Sequence, residues 1–147
     1  MAPIVSSIEI SRPTEQVFSY VTDPSRLPEW QESVVSTRTE GSGPSDVGSK
    51  VAMTRRIGRV ERTMTSELTV SPPRSWAVRG IDGPVRGMVK GTVEPLDGST
   101  RSRVTIELEF EGHGIGKLLV PLVVRRQAAK EMPRNLQHLK DRLESGT

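Results

Sequence analysis

Gly112 to Ser145 reads GHGIGKLLVPLVVRRQAAKEMPRNLQHLKDRLES, and the spacing of its apolar residues decides the fold. Steps of three and four from Ile115 meet Leu118, Leu122, Arg125, Ala129, Met132, Leu136, Leu139 and Leu143, eight of the nine positions apolar. Residues so spaced form one stripe along a helix. Lys117, Arg126, Lys130, Glu131, Arg134, Lys140, Asp141 and Glu144 fall on the opposite face. A helix of about 25–30 residues is roughly 38–45 Å long, and its stripe needs a broad apolar surface to cover. Pro121 suits a first helical turn, so regular helix is expected from near Val120. Pro133 removes one backbone hydrogen bond and is expected to kink the helix. Arg125 is the one charge on the stripe. Two readings stay open for it, a side chain snorkelling to water or a charge over a ligand cavity.

The surface for that helix comes from the strands before it. In Ser102–Phe110, Val104, Ile106, Leu108 and Phe110 alternate with Arg103, Thr105, Glu107 and Glu109, the pattern of a half-buried strand. Lys50–Ile57 and Val60–Val70 flank Gly58-Arg59, a pair suited to a type II′ hairpin turn. That register sets Ile57 opposite Val60, Arg55 opposite Arg62, Met53 opposite Met64 and Val51 opposite Ser66, all on the inner face. Ser75–Ile81 and Val85–Pro95 make a second hairpin around Asp82-Gly83. Trp76, Val78, Val85, Val89 and Val93 share a face there with Gly87 and Gly91, which leave room. Ile4–Ser11 alternates as a first strand and Ser33–Glu40 as a weaker one, with a turn over Gly41–Gly48. Between the first two strands, Pro13–Val21 reads as a short helix, and Asp23-Pro24 starts a second that closes at Trp30. The expectation is one α+β domain over residues 1–147: a curved antiparallel sheet of about six to seven strands, two short helices, and a long C-terminal helix over the concave face.

Composition narrows the function. Apolar residues make up 33% of the chain and only five are aromatic, which fits a modest core or a core with a hole. No cysteine is present, so disulfide and thiolate chemistry are excluded. Pro3, Ser6, Ser7 and Glu9 break any leader-like apolar run, and Leu118–Val124 is far too short to span a bilayer. A cytoplasmic protein is expected. The net charge of +3 comes from the terminal helix, where Lys117–Glu144 holds seven Lys/Arg against three Asp/Glu. Such a face can meet nucleic acid or an anionic membrane, but more often it is simply solvated.

Several residues in this order carry a family resemblance: Ile8-Glu9-Ile10, Pro13, Val17-Phe18, Asp23-Pro24, Trp30, Gly48, Pro73, Trp76, Gly91-Thr92, Gly98-Ser99-Thr100-Arg101, and Gly116 to Leu143. The chain resembles the START-like, helix-grip superfamily, also called SRPBCC, and within it the small polyketide cyclase/dehydrase-type proteins. The resemblance implies a curved sheet gripping the helix around an apolar cavity. It further implies binding of lipids, sterols, polyketides or other hydrophobic compounds, with cyclase or dehydratase activity in a minority of members.

The residues themselves rank binding above catalysis. His113 and His138 lie in different elements and no cysteine joins them, so no metal site is expected. There is no Gly-x-Ser-x-Gly elbow. Gly112-His113-Gly114-Ile115-Gly116 reads as a hinge rather than a phosphate loop, because it lacks the P-loop lysine and threonine. A cyclase needs a titratable group in its pocket. The inner strand faces hold no Asp, Glu or His, and Glu94 and Asp82 lie near turns or point outward. The expected ligand-lining residues are Trp30, Met53, Arg55, Arg62, Met64, Trp76, Leu122, Arg125 and Met132, with no cofactor. The arginines suit an acidic group on a hydrophobic ligand; the two tryptophans and three methionines supply adaptable lining. A cyclase/dehydratase-type enzyme and a basic-helix nucleic-acid binder are the alternatives.

Overall fold

The computed structural model describes residues 3–40, 49–71, 73–83 and 85–145. The turn expected over Gly41–Gly48 lies outside them. Among the described residues seven strands form one antiparallel sheet: β1 (Ile4–Ile10), β2 (Val34–Glu40), β3 (Ser49–Ile57), β4 (Val60–Ser71), β5 (Ser75–Gly80), β6 (Val85–Leu96) and β7 (Arg101–Gly112), in the order β1-β7-β6-β5-β4-β3-β2. The hairpin register is the one the sequence predicts, with Arg55 opposite Arg62 and Met53 opposite Met64. Gly58 takes φ +62° and Arg59 stays out of the positive-φ region, as a type II′ turn requires.

Helix α1 (Thr14–Val21), a 3₁₀ turn (Pro24–Arg26) and α2 (Leu27–Trp30) connect β1 to β2. The Asp23 side chain accepts from the Ser25 backbone N–H, the cap that the Asp-Pro pair predicts. Tyr20 donates from its hydroxyl to Glu29 at 2.8 Å, and burial together with that carboxylate pushes the phenol up to about 12.

The terminal segment is two helices in different phase. Helix α3 (Gly116–Leu119) passes through a π-turn (Val120–Val124) into α4 (Arg125–Glu144), whose backbone stays helical through Pro133. The interruption thus falls at Val120–Val124 rather than at Pro133. The apolar stripe is buried from Met132 onward, through Leu136, Leu139 and Leu143. Upstream the buried hydrophobic residues are Val120 and Val124, while Ile115, Leu118 and Leu122 are 61–64% exposed; within α4 Ala129 is exposed as well, the inward positions around it being Val124, Ala128 and Met132. A π-turn holds an extra residue, so it rotates everything before it out of the α4 phase.

Helix α4 lies against β1 and α2. Its C-terminal end is tied to β1 by Glu144, which accepts from the Ser11 backbone N–H at 2.8 Å and from Lys140 Nζ at 2.9 Å. These bonds hold the Glu144 carboxyl below its ordinary range, the backbone bond contributing most. A depressed folded-state pKa contributes stability above the unfolded value of about 4.3 and loses it as pH falls through the folded value. Glu144→Gln is therefore expected to lower the melting temperature at pH 7. The gap from wild type should close on acidification below about pH 4, and thermal melts across that range check it.

Two apolar clusters form. The larger joins Ile10, Val17, Phe18, Trp30, Trp76, Val93, Val104, Leu136 and Leu139. The smaller holds Ile57, Val85, Val120 and Val124, with Met64, Phe110 and Val123 against it.

Candidate functional site

Between these clusters lies a cavity of about 180 Å³. Its walls come from both: Trp30, Leu68, Trp76, Ile106 and Met132 from the larger, Ile57, Val85 and Val124 from the smaller. Strand alternation directs Val51, Met53, Arg55 and Ile57 of β3 into it, and Met64, Ser66 and Leu68 of β4. Gly91, paired with Trp76 across β5 and β6, faces its indole so closely that no side chain fits between them.

One side of the cavity is polar. Arg55 donates to Ser33 Oγ at 2.9 Å and to Gln31 Oε1 at 3.0 Å, and stands 3.2 Å from Met53 Sδ. A β-bulge between Val34 and Ser36 shifts the β2–β3 register beside this arginine, and the Arg56 backbone N–H bonds the Ser33 carbonyl at 2.8 Å. The linker after α2 is thereby held against β3. Burial pushes the Arg55 guanidinium below its ordinary pKa, and the negative charge of Glu131 partly opposes that. Arginine nonetheless stays protonated in proteins. Among the described residues no carboxylate stands within 4 Å of it.

The facing polar groups come from α4: Gln127, Glu131 and Asn135, one turn apart, all line the cavity. Gln127 accepts from the Gly58 N–H at 2.8 Å and donates to the Arg56 carbonyl at 2.8 Å and to Glu131 Oε1 at 3.0 Å. Asn135 accepts from the Glu32 N–H at 3.1 Å. One helix row therefore fastens the β3–β4 hairpin and the α2–β2 linker, and it brings a carboxylate into the cavity.

Of the nine residues expected from the sequence, Trp30, Met53, Arg55, Met64, Trp76 and Met132 line this cavity. Arg62, Leu122 and Arg125 do not, and each departure has a physical reason. On β4 the lining begins at Met64, the next inward position beyond Arg62. Leu122 is turned to solvent by the π-turn. Arg125 is half-buried, but Val124 beside it takes the lining position. Glu131, placed on the outer face by periodicity, lines the cavity instead. The signal that finds it is the polar row Gln127, Glu131, Asn135 at steps of four, running beside the apolar stripe. Among the described residues no group of three or more His, Asp or Glu is placed to hold a metal ion, and no helix is long and apolar enough to cross a membrane.

Solved structures share this architecture. TTHA0849 from Thermus thermophilus superposes with a TM-score of 0.80 at 17% identity, covering 99% of each chain. A START superfamily protein from Mycobacterium smegmatis gives 0.78 at 15%, covering all of both chains. The Zhui aromatase/cyclase from Streptomyces sp. R1128 gives 0.76 at 14%, covering 96% of this chain and 94% of that one. The chain spans about half (47%) of the di-domain aromatase/cyclase BexL, with a TM-score of 0.75. At these identities the likeness is one of fold. No curated protein sequence matches. The profile of one family, described as polyketide cyclase / dehydrase and lipid transport, matches residues 1–144. With sheet, gripped helix and cavity all in place, the chain belongs to the polyketide cyclase/dehydrase and lipid transport family.

Proposed function

We propose that the protein binds a hydrophobic small molecule, of lipid or polyketide type, whose acidic or carbonyl end meets Arg55. The observation that carries this reading is a half-buried guanidinium on the wall of a mainly apolar cavity, with no carboxylate within 4 Å of it among the described residues. A buried charge without a close counter-ion is costly, and a ligand anion would offset that cost. The aromatic and methionine walls supply apolar area, and Ser33 and Gln31 hold the guanidinium in one orientation. Uptake of an apolar fluorescent probe, displaced by a fatty acid and by its methyl ester, tests the proposal. Both are expected to displace the probe, the acid about tenfold more tightly, since a hydrogen bond to a charged group contributes roughly 1.5–3 kcal/mol. Failure of either to displace the probe would overturn it.

Glu131 favours a second reading, cyclisation. A carboxylate held by Gln127 accepts the proton α to a ligand carbonyl, while Arg55 stabilises the oxygen that gains charge. The enolate carbon then attacks a second carbonyl of the same molecule, and the alkoxide that forms takes the proton back from Glu131. Glu131→Gln separates the two readings. For a binding protein it strengthens acid binding by removing a like charge; for an enzyme it abolishes product formation from a polyketide-type substrate while binding persists.

A further inference from the structure

The π-turn leaves a second surface that the cavity does not use. Ile115, Leu118 and Leu122 are 61%, 64% and 62% exposed; the Leu118 N–H bonds the Ile115 carbonyl at 3.0 Å, one turn back, and Leu122 follows one turn on. The tip of the β3–β4 hairpin meets the π-turn at Val123. Gly58 sits against Val123 and bonds Gln127, and Val60, two residues on, is 53% exposed. Exposed Arg59, Lys117 and Arg126 flank this apolar row, and among the described residues none of the three has a carboxylate within 4 Å. Of the exposed acids on β4 and β7, Glu61 pairs with Arg56, and Glu111 stands 2.8 Å from His113, which carries charge only when protonated.

We infer that this face docks on an anionic lipid bilayer. An apolar row bordered by unpaired cations matches the boundary between acyl chains and anionic headgroups, where apolar side chains insert and Lys/Arg meet the surface charge. Two other occupants fit less well. A second copy in a symmetric pair would set each cluster of Arg59, Lys117 and Arg126 near its own like charges. Nucleic acid would use the cations and leave three large apolar side chains in water. The inference does not depend on what fills the cavity.

Co-sedimentation of the full chain with phosphatidylcholine vesicles, with and without phosphatidylglycerol, tests it. Wild type is expected to pellet with the phosphatidylglycerol vesicles and far less with the neutral ones, and the binding should weaken as salt rises. Leu118→Ser with Leu122→Ser is expected to lower partition by about tenfold or more, because interfacial binding scales with inserted apolar area. Lys117→Glu with Arg126→Glu should remove the preference for anionic lipid. All four side chains are exposed, so melting temperatures should match wild type; either pair alone decides the matter should the other fail to fold. Wild type remaining in the supernatant would overturn the inference. So would a leucine variant that binds as tightly as wild type, or a concentration-dependent dimer that the leucine substitutions abolish.

Discussion

Arg55→Met is expected to lower the affinity of the cavity for a fatty acid by about tenfold or more, leave the methyl ester nearly unaffected, and leave the fold as stable as before or more stable. The first effect follows from losing a hydrogen bond to a charged ligand group, roughly 1.5–3 kcal/mol at about 1.4 kcal/mol per tenfold. The ester carries no charge and rests on apolar contacts, which methionine preserves and extends. The effect on stability runs against intuition, since Arg55 bonds both Ser33 and Gln31. Yet burial disfavours its charge, and Arg62 lies directly opposite on the neighbouring strand. Methionine removes the cost of desolvating that charge, and like charges directly opposite across a sheet are destabilising, so the two effects offset the hydrogen bonds given up. Ligand titrations and urea melts of the same variant read both effects. Equal losses for acid and ester would mean that Arg55 shapes the cavity without recognising charge.

Gly91→Ala is expected to destabilise the fold by about 1–3 kcal/mol, the ordinary range for overpacking a core, and to reduce probe uptake. A Cβ at this position falls within the space of the Trp76 indole. Trp76 is buried, tilted at 49° against Phe18 with ring centroids 6.3 Å apart, and part of the cavity wall. Phe18 blocks one side, so the space left to the ring is the cavity itself. A urea midpoint and a change in tryptophan fluorescence report the two consequences together. A variant with wild-type midpoint and wild-type probe uptake would show that the ring yields in some other direction.

The two positions also show which parts of the site were legible in the sequence. Gly91 and Trp76 were readable because strand periodicity is strict. Once the hairpin register is fixed by its turn, every inward residue from Val51 to Phe110 is fixed with it. Arg55 was readable for the same reason. The helix was readable only from Met132 onward, where apolar residues alternate with charged ones. In Leu118–Val124 nearly every residue is apolar, so periodicity could not say which side faces inward, and the extra residue of the π-turn left no mark in that run. Spacing alone therefore puts Ile115, Leu118 and Leu122 on the buried side; Glu131 is hidden for a different reason, because the cavity-facing side of α4 is wider than the apolar stripe and includes its polar border. The polar contacts at Arg55 were hidden for another reason. Gln31 and Ser33 lie in a linker of no repeating pattern and reach β3 only through a bulge. Side chains that meet across more than twenty residues of sequence, as Ser33 and Arg55 do, leave no local trace.

The π-turn also divides the leucines of one segment into two kinds of heritable cost. A change at Leu136, Leu139 or Leu143 is judged by whether the chain still folds, and truncation to alanine there costs about 2–5 kcal/mol. A change at Leu118 or Leu122 leaves the folded population almost untouched and is judged only by what that surface does in the cell. Drift among descendants of this sequence would thus be filtered by thermodynamics at one end of the segment and by physiology at the other. The substitutions tolerated at residues 115, 118 and 122 would form a record of the surface's use, uncontaminated by the demands of folding.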